Sequence, residues 1–320
     1  MVKKINFYHS LIFFNICIIL SAFSFVRENN FTIICLFLIL TLGISHGSLD
    51  NIKGKKLLKF FNIKSTSAFY IGYSLTSLFV IIFWIIFPNL ILIIFLILAS
   101  YHFGKEDTAF LEKEKKNYDE ILYFIKGSLV IVAPLLFHKI ETILIFQSLN
   151  FNISGVIFIE NKFLYFSLFI IFLSNLFLFF KKNTEVNYLL LMDFYSLLIL
   201  NYFLNPITAF TIYFCFLHSV RHSLSLVIKL NKNIKKGFFL FVKKALPLTI
   251  ITALFYLLSV LFLNNYYGLN ESIYKVIFIG LASLTFPHIL LEYMFEKKWK
   301  LMLILFLIRK KWKIKKLKFY

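Results

Sequence analysis

His218 and His222 stand four residues apart in the run Leu217-His218-Ser219-Val220-Arg221-His222. On a helix that spacing puts both imidazoles on one face, one turn apart. This is how a single helix gives two ligands to one metal ion. Three more histidines keep similar company: Asp50 follows His46 by four residues, Asp107 follows His102 by five, and Glu292 follows His288 by four. A ligating imidazole usually donates its second ring N–H to a carboxylate or carbonyl, which fixes its tautomer. These acids therefore read either as partners of the histidines or as solvated groups at helix ends. Arg221, between two candidate ligands, is expected to pair with one of these acids, because an unpaired guanidinium inside an apolar segment is costly.

The elements that must carry these groups are membrane helices. The chain has 320 residues, of which 60% are hydrophobic and only 16% charged, far from the roughly 25% charge of soluble domains. Ten apolar segments follow one another at 8–26, 31–46, 66–87, 88–104, 121–138, 163–180, 186–203, 206–228, 245–264 and 273–295, each near the roughly 20 residues that span a bilayer. The run 301–308 is too short to span and reads as interfacial. The first segment follows Lys3 and Lys4 like a signal peptide, but no small-residue cleavage site follows, so it reads as an uncleaved helix. The expected fold is an all-α polytopic transmembrane bundle of about ten helices. It forms one integral-membrane domain over 1–320, with a short basic tail from about 296 to 320.

The formal charge of +20 resides in loops and tail. Loops on one side of the predicted topology hold 29 basic residues and those on the other hold three. By the positive-inside rule both termini are cytoplasmic and the protein is a multi-pass protein of the cell (inner or plasma) membrane. The same distribution accounts for the charge without nucleic acid. Cys17, Cys35 and Cys215 lie within apolar runs at spacings that suit neither a disulfide nor a metal, and read as buried thiols.

This topology brings His46, His102, His218, His222 and His288 to one depth, because all lie in the cytoplasmic halves of even-numbered segments. His138 ends a segment on the opposite face, and His9 stands alone. A cluster at one level suits a shared metal, and imidazole ligands suit iron, copper, zinc or nickel. A divalent-metal transporter would instead need polar groups through both halves of the membrane, and a bis-histidine haem carrier would need histidine pairs at two depths. Membrane di-iron desaturases and carotenoid hydroxylases use more histidines in tighter boxes, and remain the alternative within oxygenases.

Four motifs, in order, resemble those of the Brp/Blh family of membrane β-carotene 15,15′-dioxygenases. They are His46-Gly47-Ser48-Leu49-Asp50, Tyr101-His102-Phe103-Gly104-Lys105-Glu106-Asp107, Leu217–His222 and Pro287-His288-Ile289-Leu290-Leu291-Glu292. The resemblance implies a mononuclear Fe(II) centre with His46, His102, His218 and His222 as catalytic metal ligands. Asp50, Asp107, Arg221, His288 and Glu292 would lie around it or line the substrate path. It also implies O₂-dependent cleavage of β-carotene within the lipid bilayer to two retinals, with retinal supplied to a microbial rhodopsin. Family members continue the first motif with a second histidine; this chain has Asn51 there. Tyr101, Phe103, Phe214 and Tyr293 are aromatic candidates for the tunnel wall, with lipid contact as the other role.

Overall fold

A computed structural model describes residues 2–23, 31–63, 65–108, 110, 118–152, 160–182 and 187–317, with the side chains of His46, 181–182 and 296–317 outside the described set. Most of the described residues are helical, with no strand among them. Nine of the helical stretches are long and apolar enough to cross a bilayer, and Tyr188–Phe203 is a shorter apolar helix. Together they match the ten sequence segments one for one. The 16 residues of Tyr188–Phe203 give about 24 Å of helix at 1.5 Å per residue. The apolar surface that these helices leave exposed is what a bilayer would cover.

In chain order the helices are α1 (Val2–Ala22), α2 (Thr32–Leu38), α3 (Asp50–Phe60), α4 (Ser67–Ile86), α5 (Pro88–Thr108), α6 (Asp119–Gly127), α7 (Leu129–Phe137) and α8 (Lys139–Ser148). They continue with α9 (Asn161–Lys182), α10 (Tyr188–Phe203), α11 (Pro206–Ile212), α12 (Val220–Leu230), α13 (Ile234–Leu263) and α14 (Leu269–Leu317). The last helix runs on without a break past 296, so the tail and the run 301–308 continue the final span instead of forming a separate interfacial piece.

Two of the histidine-bearing spans are not uniform α-helices. Between α2 and α3 the chain passes through a π-helical turn, Ile39–Gly43, and a 3₁₀ turn, Ile44–Leu49, which carries His46. Between α11 and α12 a π-helical stretch, Tyr213–Ser219, carries His218. Such π segments shift the register of all following side chains and occur often at functional sites. The two meet where the Ser219 hydroxyl donates to the Gly43 carbonyl at 3.1 Å. The span α11–α12 starts on a firm cap: Asn205 accepts from the Thr208 N–H, with Pro206 in the first turn, where its missing N–H costs nothing.

His102 is set by the close approach of α5 and α6. A Cβ at Gly104 would lie 1.8 Å from the Tyr123 carbonyl oxygen, and one at Gly127 would lie 1.8 Å from that of Ser100. Only glycine allows the two backbones to touch in this way. Gly104 thus works by close packing, not as a helix cap. Gly47 meets nothing within 4 Å and has no positive φ, so it serves neither role.

Candidate metal centre and cavity

His102 from α5, His218 and His222 from the π–α12 span, and His288 from α14 converge. The His102 ring lies 5.4 Å from that of His218 and 5.1 Å from that of His288, and the His222 ring lies 6.1 Å from that of His288. All four are buried. The cluster inferred from helix direction therefore exists for these four. The His46 side chain lies outside the described residues; its turn borders the cluster through Gly47, Ser48 and Asp50.

Two carboxylates orient two of the rings. His288 Nδ1 donates to Asp50 Oδ2 at 2.7 Å, and His218 Nδ1 donates to Asp107 Oδ1 at 3.2 Å. Each acid has a second anchor: the Tyr73 hydroxyl donates to Asp50 Oδ2 at 3.2 Å, and the Tyr213 hydroxyl donates to Asp107 Oδ2 at 2.7 Å. With Nδ1 committed in this way, Nε2 is the nitrogen through which either ring could bind a metal. These are the carboxylate–histidine pairs common around metals. The pairing differs from sequence proximity, because Asp50 serves His288 of another helix and Asp107 serves His218.

Arg221 also departs from expectation. Its main partner is Asp193 of α10, reached by Nη1 to Oδ2 at 2.8 Å and Nη2 to Oδ1 at 3.0 Å. Nη2 donates to Ser10 Oγ at 2.7 Å, and Nη1 donates to the Asp107 carbonyl at 3.2 Å. Asp107's carboxylate is only a distant neighbour, 3.9 Å away. Lys126 lies 3.9 Å from Asp193. This fork, buried at both ends, ties α1, α10 and α12 together behind His218.

Glu106 was passed over in the sequence. It follows His102 by four residues, the same spacing that signals His218/His222 and His288/Glu292, and its Oε2 lies 3.6 Å from His222 Nε2. Glu292 Oε1 is 2.7 Å from Lys53 Nζ and 3.9 Å from His288 Nε2. Two buried or half-buried groups have ligand atoms mutually within 4.8 Å: His102, His288 and Glu292, and Glu106, His222 and Glu292. Nitrogen and oxygen donors of this kind, close together and largely shielded from water, fit a divalent transition metal.

A cavity of about 950 Å³ opens from this cluster, with Tyr73, Trp84, His102, His218, Tyr256 and His288 in its wall. Its contact with α4 runs from Phe69 to Ile85, about 24 Å at the helical rise. The far end is bounded by Asn150, Tyr267 and Lys275. Of the four aromatic candidates, Phe103 and Phe214 line it. Tyr101 instead donates to Glu120, and Tyr293 is exposed. Asn51 lines the cavity and donates from Nδ2 to the Tyr70 hydroxyl at 3.3 Å. His9 donates to the Phe216 carbonyl at 2.8 Å, and His138 lies 3.8 Å from Glu141; neither joins the cluster.

Fold and site together define a multi-pass membrane protein with a buried histidine–carboxylate cluster at one end of a long cavity. A family model described as beta-carotene 15,15′-dioxygenase matches residues 37–296, and the chain belongs to that family. A curated protein named beta-carotene 15,15′-dioxygenase, from uncultured marine bacterium 66A03, is 27% identical over 263 residues, covering 82% of this chain and 93% of the relative. No solved structure matches.

Proposed function

We propose that this protein cleaves the central 15,15′ double bond of β-carotene with O₂, giving two retinals, at an iron centre built on the histidine cluster. The observation that carries this reading is the cavity: it is long and mostly apolar, and His102, His218 and His288 stand in its wall. Its volume lies at the upper end of ligand sites, roughly 300–1,000 Å³, as an extended C₄₀ hydrocarbon requires. Fe(II) would supply the binding and reduction of O₂, as in other non-haem oxygenases with open coordination positions. The resemblance assigns the iron to His46, His102, His218 and His222.

The chain's own residues account for the rest. The walls along α4, α13 and α14 hold the polyene, and regioselectivity follows from which bond they bring to the cluster. Asp50 and Asp107 hold two imidazoles by Nδ1. β-Carotene is supplied from the lipid bilayer of the cell membrane, and retinal passes to a microbial rhodopsin. The test is expression in bacteria that accumulate β-carotene. Loss of colour with formation of retinal is the expected result; persistence of colour with the protein present in the membrane overturns the reading.

A further inference from the structure

The end of the cavity away from the histidines is a bonded floor. α8 stops at Ser148, and Asn150 just beyond it takes the left-handed conformation, with a φ of 63°, which Asn adopts more readily than most residues. The carbonyls of a last helical turn have no partners within their helix. Here that of Ser148 accepts from Lys275 Nζ, and that of Leu149 accepts from the indole Nε1 of Trp84 at 3.2 Å. Lys275 Nζ also donates to Asn150 Oδ1 at 3.1 Å, lies 3.4 Å from Glu271 Oε1 and stands 4.4 Å from the centre of the Tyr267 ring. Trp84 and Lys275 are buried, and both line the cavity beside Asn150 and Tyr267. A hydrocarbon offers no replacement for these bonds, and a buried ammonium stripped of them is costly. The floor therefore does not yield to an apolar ligand pressed against it.

The depth of the cavity suits half of a symmetric C₄₀ polyene. Lys275 precedes His288 by thirteen residues on α14, about 20 Å at the helical rise. Tyr73, which shares Asp50 with His288, precedes Trp84 by eleven residues on α4, about 17 Å. An extended carbon chain advances about 1.2 Å per bond, as the extended backbone does over its three bonds per residue. Nine bonds join the central carbon of β-carotene to its ring, about 11 Å on that scale. The ring itself and a contact gap of about 4 Å beyond it take up the remaining depth.

We propose that Trp84 and Lys275, with the helix end they cap, are the stop for one ring of β-carotene, and that the distance from this stop to the histidines selects the central double bond. The inference rests on the dioxygenase reading and adds the residues that set the position of its cut. Successive double bonds of the polyene lie about 2.4 Å apart, so moving the stop by that much brings a different bond to the histidines. A displaced cut balances as the central one does: one O₂ breaks one C=C and leaves one oxygen on each of its carbons.

The test moves the stop both ways. Trp84→Ala deepens the floor. Ser259→Phe raises it: Ser259 lines the cavity, is exposed, and bonds the Phe255 carbonyl of its own helix. It lies about one turn nearer the floor than Tyr256, whose ring packs on Gly280. The probe is β-apo-8′-carotenal, a thirty-carbon aldehyde with one ring, given to purified full-length protein in its iron-loaded form. Products are identified by mass, and thermal unfolding and iron content are checked for each variant. Wild type should give retinal and a ten-carbon dialdehyde. In Trp84→Ala the ring sinks deeper, and the twenty-two-carbon aldehyde should rise at least tenfold. In Ser259→Phe the ring stops short, and the eighteen-carbon ketone should rise at least tenfold. In either folded variant, central cleavage alone, no cleavage, or a shift in the other direction overturns the stop. Should Trp84→Ala lose its unfolding transition, Ser259→Phe decides alone. A wild-type protein that leaves both β-carotene and the probe intact overturns the dioxygenase reading, and the stop falls with it; wild-type cleavage with unshifted variants overturns the stop and leaves that reading in place.

Discussion

His288 donates from Nδ1 to Asp50 Oδ2 at 2.7 Å, joining residues 238 positions apart and tying the final span to the start of α3. The bond selects the tautomer that presents Nε2 and stops the ring from turning. Losing such a carboxylate commonly weakens metal binding about 10–100-fold. Asp50→Asn should therefore lower iron affinity by that order while leaving the protein folded. Chelator competition would show it, and an unchanged affinity would mean that His288 needs no such support. Asp107→Asn is the matched test for His218.

That pairing shows where sequence reading works and where it stops. Helix directions follow from the lopsided distribution of lysines, so the gathering of His102, His218, His222 and His288 at one level was legible. Partner choice was not. Asp50 was matched with His46, its neighbour in sequence, because nothing in the chain reveals that α14 passes beside α3. Nor does anything in the chain reveal that Asp193 of α10 reaches Arg221 of α12. The π-helical turns before His46 and at His218 leave no signature in residue type, yet they shift the register of the positions that follow. Glu106 was legible and missed: its four-residue spacing from His102 was hidden by the adjacent Asp107.

Arg221 and Asp193 form a fork in which both residues are 2% exposed. Removing one partner leaves an uncompensated buried charge, which costs about 3–5 kcal/mol. Arg221→Met is expected to lose about that much stability in reversible unfolding from detergent. The double variant Arg221→Met with Asp193→Leu should recover most of the loss, since an apolar pair of similar volume is often neutral. No recovery would show that Arg221 acts chiefly through Ser10 and the Asp107 carbonyl.

The contact between α5 and α6 makes a sharper stability prediction. A methyl at Gly104 or Gly127 would meet a backbone carbonyl at 1.8 Å, so the helices must separate. Gly104→Ala should cost at least about 1–3 kcal/mol, the range for overpacking, and should disturb iron binding because His102 sits half a turn away. Gly47→Ala has open space around it and should be neutral for folding. Equal melting temperatures for Gly104→Ala and wild type would contradict the close packing.

The cavity lies between α4 and α13, with Ser77 of one and Thr252 of the other in its wall. Several lining residues of the two helices, Leu78, Ile85, Ile251 and Phe255, are also exposed on the outer surface. On the proposed function, this side would be the entrance from the bilayer. Filling it should separate substrate binding from metal binding. Ser77→Trp and Thr252→Trp are expected to keep wild-type iron content but lose most β-carotene binding, read as carotenoid absorbance retained through purification of the metal-free protein. Retinal formation should fall in proportion. If both variants bind β-carotene as wild type does, the polyene lies elsewhere. If they lose iron as well, the cavity and the centre are not separable as described, because the two hydroxyls bond to the Tyr73 and Leu248 carbonyls of their own helices.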